Sequence, residues 1–354
     1  MAPTTLQRHH QNLRAVRQAL DAGQVSRARH LLAAAEREAR YLGSTALLEV
    51  AMVHGETAAA AGDLSEAERA YMRAFEYALS LGLAIDDPAK TRIHTRLGAT
   101  YRAQGRYDVA DRVLRDALRL VEQRDSAAPA EIANICNELG MLGKYTGRFD
   151  EAEVFYRRAQ EALAELSEQD GLTAASLWHN IGGLAHARGD YAAAEEPARR
   201  AVEIRERHLG GDHPQVSLDR AALAPVLAGL GRTHEAEQLL HQALTVFRRT
   251  WGPVHQEVAV TLHNLGATSQ QDGRLSDADD YFAQALEIKE QLYGPRHPDL
   301  AITLANLAFI RRRRGREPEA RALYERARDI LTEAVEGDHP VLAAVLRALE
   351  QPDD

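Results

Sequence analysis

Apolar residues recur along this chain with the period of a helix that buries one face, and the pattern is interrupted at regular intervals by glycine. The glycines are Gly23, Gly62, Gly105, Gly147, Gly189, Gly231, Gly273 and Gly315, spaced by 39, 43 and then five times by 42 residues. Alanine stands five residues after every one of them, from Ala28 to Ala320, and again twelve residues after, from Ala35 to Ala327. Sixteen matches in sixteen places mark an internal repeat present eight times.

The positions around each glycine describe the unit. Eight residues before it stands a large apolar side chain (Leu97, Leu139, Ile181, Leu223, Leu265, Leu307), and seven before it usually a small one (Gly98, Gly140, Gly182, Ala224, Gly266, Ala308). The small residue lets a second helix come close, and the glycine takes the left-handed conformation that ends the first helix. The second helix carries the two alanines and, between them, a bulky residue such as Tyr71, Leu114, Tyr156 or Phe282. A hairpin of this kind cannot bury its apolar face alone, so it must stack on its neighbours. The pattern therefore predicts an all-α fold, an α-solenoid of about eight helical hairpins. Its expected layout is a single solenoid over residues 1–354: two irregular repeats over 6–82, six repeats over 83–340, and a capping helix over 341–350. Pro225 falls inside a first helix and is expected to kink it or widen the groove locally.

The 42-residue unit resembles the tetratricopeptide repeat, and in particular the repeats of kinesin light chains. The resemblance rests on Gly189-Asp190-Tyr191, Ala194 to Pro197, Arg199 to Glu206, and Leu209-Gly210 through Asp212-His213-Pro214, and it is clearest over residues 147–345. It implies a right-handed solenoid whose first helices line a concave groove that holds an extended peptide. Positions 13, 10, 9, 6, 3 and 2 before each glycine share the side of the first helix away from the buried one. They place Asn134, Asn137, Glu138, Lys144 and Tyr145 in one repeat, then His179, Asn180 and His186 in the next. Further along they place His263, Asn264, Asn306, Arg312 and Arg313. The resemblance further implies that Asn180, Asn264 and Asn306 bond a ligand backbone, since an amide both donates and accepts. They can equally be solvated surface residues or contacts between repeats.

Composition narrows the function. Hydrophobic residues make up 45 % of the chain and aromatics 5 %, a balance that suits closely packed helices. The formal net charge of −9 argues against general nucleic-acid binding. Cys136 is the only cysteine, which rules out an internal disulfide and fits a reducing cytoplasm. Neither a signal peptide nor an apolar run long enough to span a membrane is evident, so the protein is expected in the cytoplasm. Against the acidic background Arg311 to Arg314 and Arg316 form a basic run. It reads as a solvated face favoured by the helix dipole, or as a site for an acidic peptide or a terminal carboxylate.

His213, His255, His297 and His339 recur every 42 residues, three of them before proline. Equivalent atoms in stacked repeats lie too far apart to share one ion, so these histidines read as local turn residues. No metal and no cofactor is expected. Gly140 to Lys144 lacks the spacing of a phosphate loop. The leading expectation is a non-catalytic adaptor or scaffold that binds a protein or peptide segment in the groove. A second is a peptide-responsive receptor resembling bacterial pheromone sensors; the feature that would favour it, a separate effector domain ahead of the repeats, is not expected, since the first repeat begins near Leu6. A third is an atypical enzyme built on Glu138, Lys144, Tyr145, His179 and His186. Self-association stays open.

Overall fold

A computed structural model describes residues 4–124, 128–164, 171–334 and 340–350. Among them there are seventeen α-helices and no strand. The chain divides into two compact units, Met1–Arg188 and Gly189–Asp354.

The first unit holds α1 (Thr5–Asp21) with α2 (Val25–Leu42), α3 (Ser44–Ala60) with α4 (Leu64–Ser80), α5 (Pro88–Ala103) with α6 (Tyr107–Glu122), α7 (Pro129–Tyr145) with α8 (Phe149–Ala164), and α9 (Gly171–Ala187). The second holds α10 (Tyr191–Leu209), α11 (Pro214–Gly229) with α12 (Thr233–Trp251), α13 (Gln256–Gln271) with α14 (Leu275–Tyr293), α15 (Ala301–Arg313) with α16 (Glu317–Ala334), and α17 (Pro340–Glu350). A single 3-10 turn, Pro298–Leu300, leads into α15.

The repeat glycines end the first helices as expected. At Gly231 φ is 78°, the Gly231 N–H donates to Ala228 O, and the Arg232 N–H donates to Leu227 O, each at 2.9 Å. These are the paired bonds that satisfy the last carbonyls of a helix. The small residue seven before the glycine receives the bulky residue of its own second helix. A Cβ on Gly140 would lie 2.3 Å from Tyr156 Cε1, one on Gly98 2.5 Å from Leu114, and one on Gly266 2.8 Å from Phe282. Tyr156, Leu114 and Phe282 are buried in these seats.

His213, His255 and His297 cap helices. Each ring Nδ1 accepts the backbone N–H two residues on, from Gln215, Glu257 and Asp299, at 3.2 Å in every case. Trp251 stacks on His255 and Tyr293 on His297, with ring centroids 4.6 and 4.8 Å apart. His339 lies outside the described residues. α11 runs unbroken through Pro225. The terminal helix α17 packs on α15 and α16, burying Leu342 and Val345.

Within each unit the first helices touch one another directly: α1 with α3, α5 with α7 and α7 with α9, then α11 with α13 and α13 with α15. Second helices make no comparable contact among themselves over the described residues. In each unit the predicted residues thus lie on first helices that touch, α7 with α9 and α13 with α15, on the first-helix side.

Candidate functional site

In the first unit this side is polar and open. A cavity of about 210 Å³ lies between α5 and α7, lined by Thr91, Arg92, Thr95, Arg96, Glu131, Asn134, Asn137 and Glu138 with Ala130. Arg92, Arg96 and Asn134 are exposed. Arg96 approaches Glu56 of α3 to 3.6 Å, whereas the side chains of Arg92 and Asn134 have no hydrogen-bond partner among the described residues. Three of the lining residues, Asn134, Asn137 and Glu138, were expected from the sequence.

On α7 and α9 the expected residues meet, and some engage each other. Asn180 Nδ2 donates to Asn137 Oδ1 at 2.8 Å, which leaves the Asn137 amide donors and the Asn180 carbonyl for a ligand. Glu138 is held by Arg102 of α5, at 3.2 Å from Nε and 3.1 Å from Nη2. The Arg102 guanidinium also lies 5.4 Å from the ring centre of Tyr145, a cation–π distance, and Tyr145 is otherwise 58 % exposed. Lys144 is half-buried, and burial together with the nearby positive charge of Arg102 pushes its amine below the ordinary lysine range. His186, half-buried on α9, is pushed down by burial and then by Lys144. His179 is half-buried on the same helix.

The second unit treats its expected residues differently. His263 Nδ1 lies 3.1 Å from Thr303 Oγ1, and its Nε2 3.4 Å from Asn306 Nδ2. Lys289 donates to the same Thr303 hydroxyl at 2.9 Å. Burial, with a smaller push from Lys289, lowers the His263 pKa to about 4, so the ring is neutral. His263 and Asn306 thus contact each other between repeats, while the Asn264 side chain, half-buried, has no partner among the described residues.

Most of the basic run is engaged within the fold. Arg311, Arg314 and Arg316 converge on Asp279 of α14, at 3.3, 2.9 and 3.6 Å. Arg312, expected to meet a ligand, instead pairs with Glu317 at 2.5 Å and donates to Ala348 O of α17 at 2.8 Å. The terminal helix, whose docking no local pattern specifies, takes that guanidinium. Arg313 alone of the run is exposed with no partner among the described residues.

A second polar cluster was not anticipated. His54 of α3 lies with Nδ1 2.8 Å from Glu36 Oε1 of α2 and Nε2 3.2 Å from Glu66 Oε1 of α4, beside a cavity of about 410 Å³. His54 stands eight before Gly62, where later repeats have leucine or isoleucine; that substitution was the available signal.

Among the described residues no group of three or more His, Cys, Asp or Glu is placed to hold a metal ion, and no helix is long and apolar enough to cross a membrane. Cys136 is buried, and desolvation pushes its thiol up to about 12.

Tetratricopeptide repeat family models match residues 131–207, 173–249, 217–291, 257–333 and 299–351, and a further one residues 93–128. The chain has no match among curated proteins. It is similar to the crystal structure of BtubC (BKLC) from P. vanneervenii, with 25 % identity over 67 % of this chain and 93 % of that one and a TM-score of 0.53. It shares its fold with a Rap protein complexed with Competence and Sporulation Factor, at 16 % identity over 87 % of each chain and a TM-score of 0.64. It also shares the fold of NprR in complex with its cognate peptide NprX, at 16 % identity over 85 % of this chain and 82 % of that one and a TM-score of 0.59.

Proposed function

Because the chain belongs to the tetratricopeptide repeat family, we propose that it is a non-catalytic cytoplasmic adaptor that holds an extended segment of another protein on the first-helix side of α5, α7 and α9. The observation that carries this reading is the open cavity between α5 and α7, where the side chains of Asn134 and Arg92 have no partner among the described residues. It continues into the Asn137–Asn180 pair, which keeps one face of each amide for a guest. Amides that both donate and accept suit a peptide backbone, whose groups alternate in the same way. A reaction centre is not favoured: the carboxylate of Glu138 is committed to Arg102, and the buried Cys136 thiol is a poor nucleophile. NprR, a fold neighbour, holds a cognate peptide, which supports a peptide-responsive receptor as the second reading.

A photoreactive residue in place of Asn134, compared with one in place of Arg157 on the exposed side of α8, tests the proposal in cells. Cross-links to one partner segment are expected from position 134, and their loss is expected when Asn137 and Asn180 are both changed to alanine. Equal cross-linking from position 157, or retention in that double variant, would move binding off this face.

A further inference from the structure

The chain contains three lysines and forty arginines. Two of the lysines are buried and hydrogen-bonded. Lys90 donates to Leu83 O at 2.7 Å, and Lys289 donates to Thr303 Oγ1 at 2.9 Å and Asp299 O at 3.1 Å. Lys144 is different, because its amine makes no hydrogen bond and no ion pair among the described residues. The charge beside it is the guanidinium of Arg102, whose Nε and Nη2 both donate to Glu138 Oε2. Across from Lys144 stands Gly183 of α9, and Lys144 Nζ lies 2.8 Å from the place a Cβ there would occupy. The residue opposite has no side chain to cover the amine.

From this placement we propose that Lys144 is a reactive amine that condenses with an aldehyde-bearing ligand at the α7–α9 face. Arginine cannot do this chemistry, since its guanidinium stays protonated, and the other two lysines would have to break buried hydrogen bonds first. A lysine that is partly desolvated and beside another cation keeps more of its amine in the neutral, nucleophilic form, and both conditions hold here. In the step itself the nitrogen lone pair forms a C–N bond to the carbonyl carbon. The carbonyl oxygen then leaves as water with both N–H protons, and a neutral imine remains. Nothing is oxidised or reduced, and hydrolysis reverses the step. The adduct lies on the face proposed above for a peptide, yet the chemistry does not depend on that reading.

The test uses the purified full-length protein with pyridoxal 5′-phosphate as the aldehyde at pH 7, trapping of the imine with borohydride, and peptide mapping. Lys144 is expected to be labelled several-fold faster in the folded protein than in the same chain unfolded in urea, with Lys90 and Lys289 unlabelled until unfolding. Slower labelling of Lys144 in the folded protein, or equal labelling of all three lysines, would overturn the proposal.

Discussion

At the scale of single residues, the two units make the same contact between first helices, the residue ten before one repeat glycine with the asparagine nine before the next, from different side chains. Asn137 and Asn180 bond through one face of each amide, whereas His263 is packed against Phe282 with ring centroids 5.2 Å apart and has both nitrogens facing neighbours. The consequence is a pH dependence with a definite sign. An unfolded histidine titrates near 6.5, and His263 in the fold near 4. Between those values the unfolded chain binds the extra proton, so stability is complete above about pH 6.5 and falls as the pH drops towards 4. At pH 5 the loss from this one group is on the order of 2 kcal/mol. Urea midpoints at pH 7.5 and pH 5 are expected to differ less in His263→Gln than in the parent. An identical pH response in the two proteins would show that this ring does not titrate as its surroundings demand.

Elements were legible wherever one residue type had one physical job. A glycine that must adopt φ near 75°, and a small residue that must admit the ring of Tyr156 or Phe282, leave marks at fixed spacing, so the hairpins could be read directly. Which candidate residues share one helix face was legible for the same reason, since helical period alone groups Asn134, Asn137 and Glu138, which line one cavity. What joins separate elements was not. The Asn137–Asn180 bond depends on the register of α7 against α9, and the Arg102–Glu138 pair on that of α5 against α7. The engagement of Arg312 depends on where α17 docks. That last contact makes its own prediction. Arg312 links Glu317, the ring of Tyr324 at 5.1 Å and the Ala348 carbonyl, and a hydrogen bond to a charged group contributes about 1.5 kcal/mol or more. Arg312→Ala is expected to raise amide exchange in Val341 to Leu349 by about tenfold while leaving α13 and α14 unchanged. Unaltered exchange in the terminal helix would mean that Leu342 and Val345 hold it without help.

Across the whole molecule, the preference for arginine over lysine follows from a recurring contact between hairpins. Arginine directly follows five of the repeat glycines, and it reaches back to the acid six residues after the preceding repeat glycine. Arg106 meets Glu68 and Arg148 meets Asp111 in the first unit; Arg232 meets Glu195, Arg274 meets Glu237 and Arg316 meets Asp279 in the second. Arg274 shows why the guanidinium is needed, since its two terminal nitrogens reach the two oxygens of Glu237 at 2.9 and 3.0 Å, a fork that a lysine ammonium cannot reproduce. The pairs are half-exposed, so each is worth roughly 0.2–1 kcal/mol. Repetition makes them matter, because a stack of hairpins is held by the sum of its neighbour contacts. They also let a chain of net charge −9 keep its acids close together without repulsion between adjacent hairpins. Changing all five arginines to lysine keeps the charge and removes only the fork. That variant is expected to lose only part of the roughly 1–5 kcal/mol that the five pairs contribute together at low salt, and the gap is expected to narrow in 1 M NaCl, where the Debye length is about 3 Å. An unshifted midpoint would assign the stacking entirely to the apolar seams, and a loss that salt does not reduce would assign the role of these arginines to packing of their side-chain stems rather than to charge.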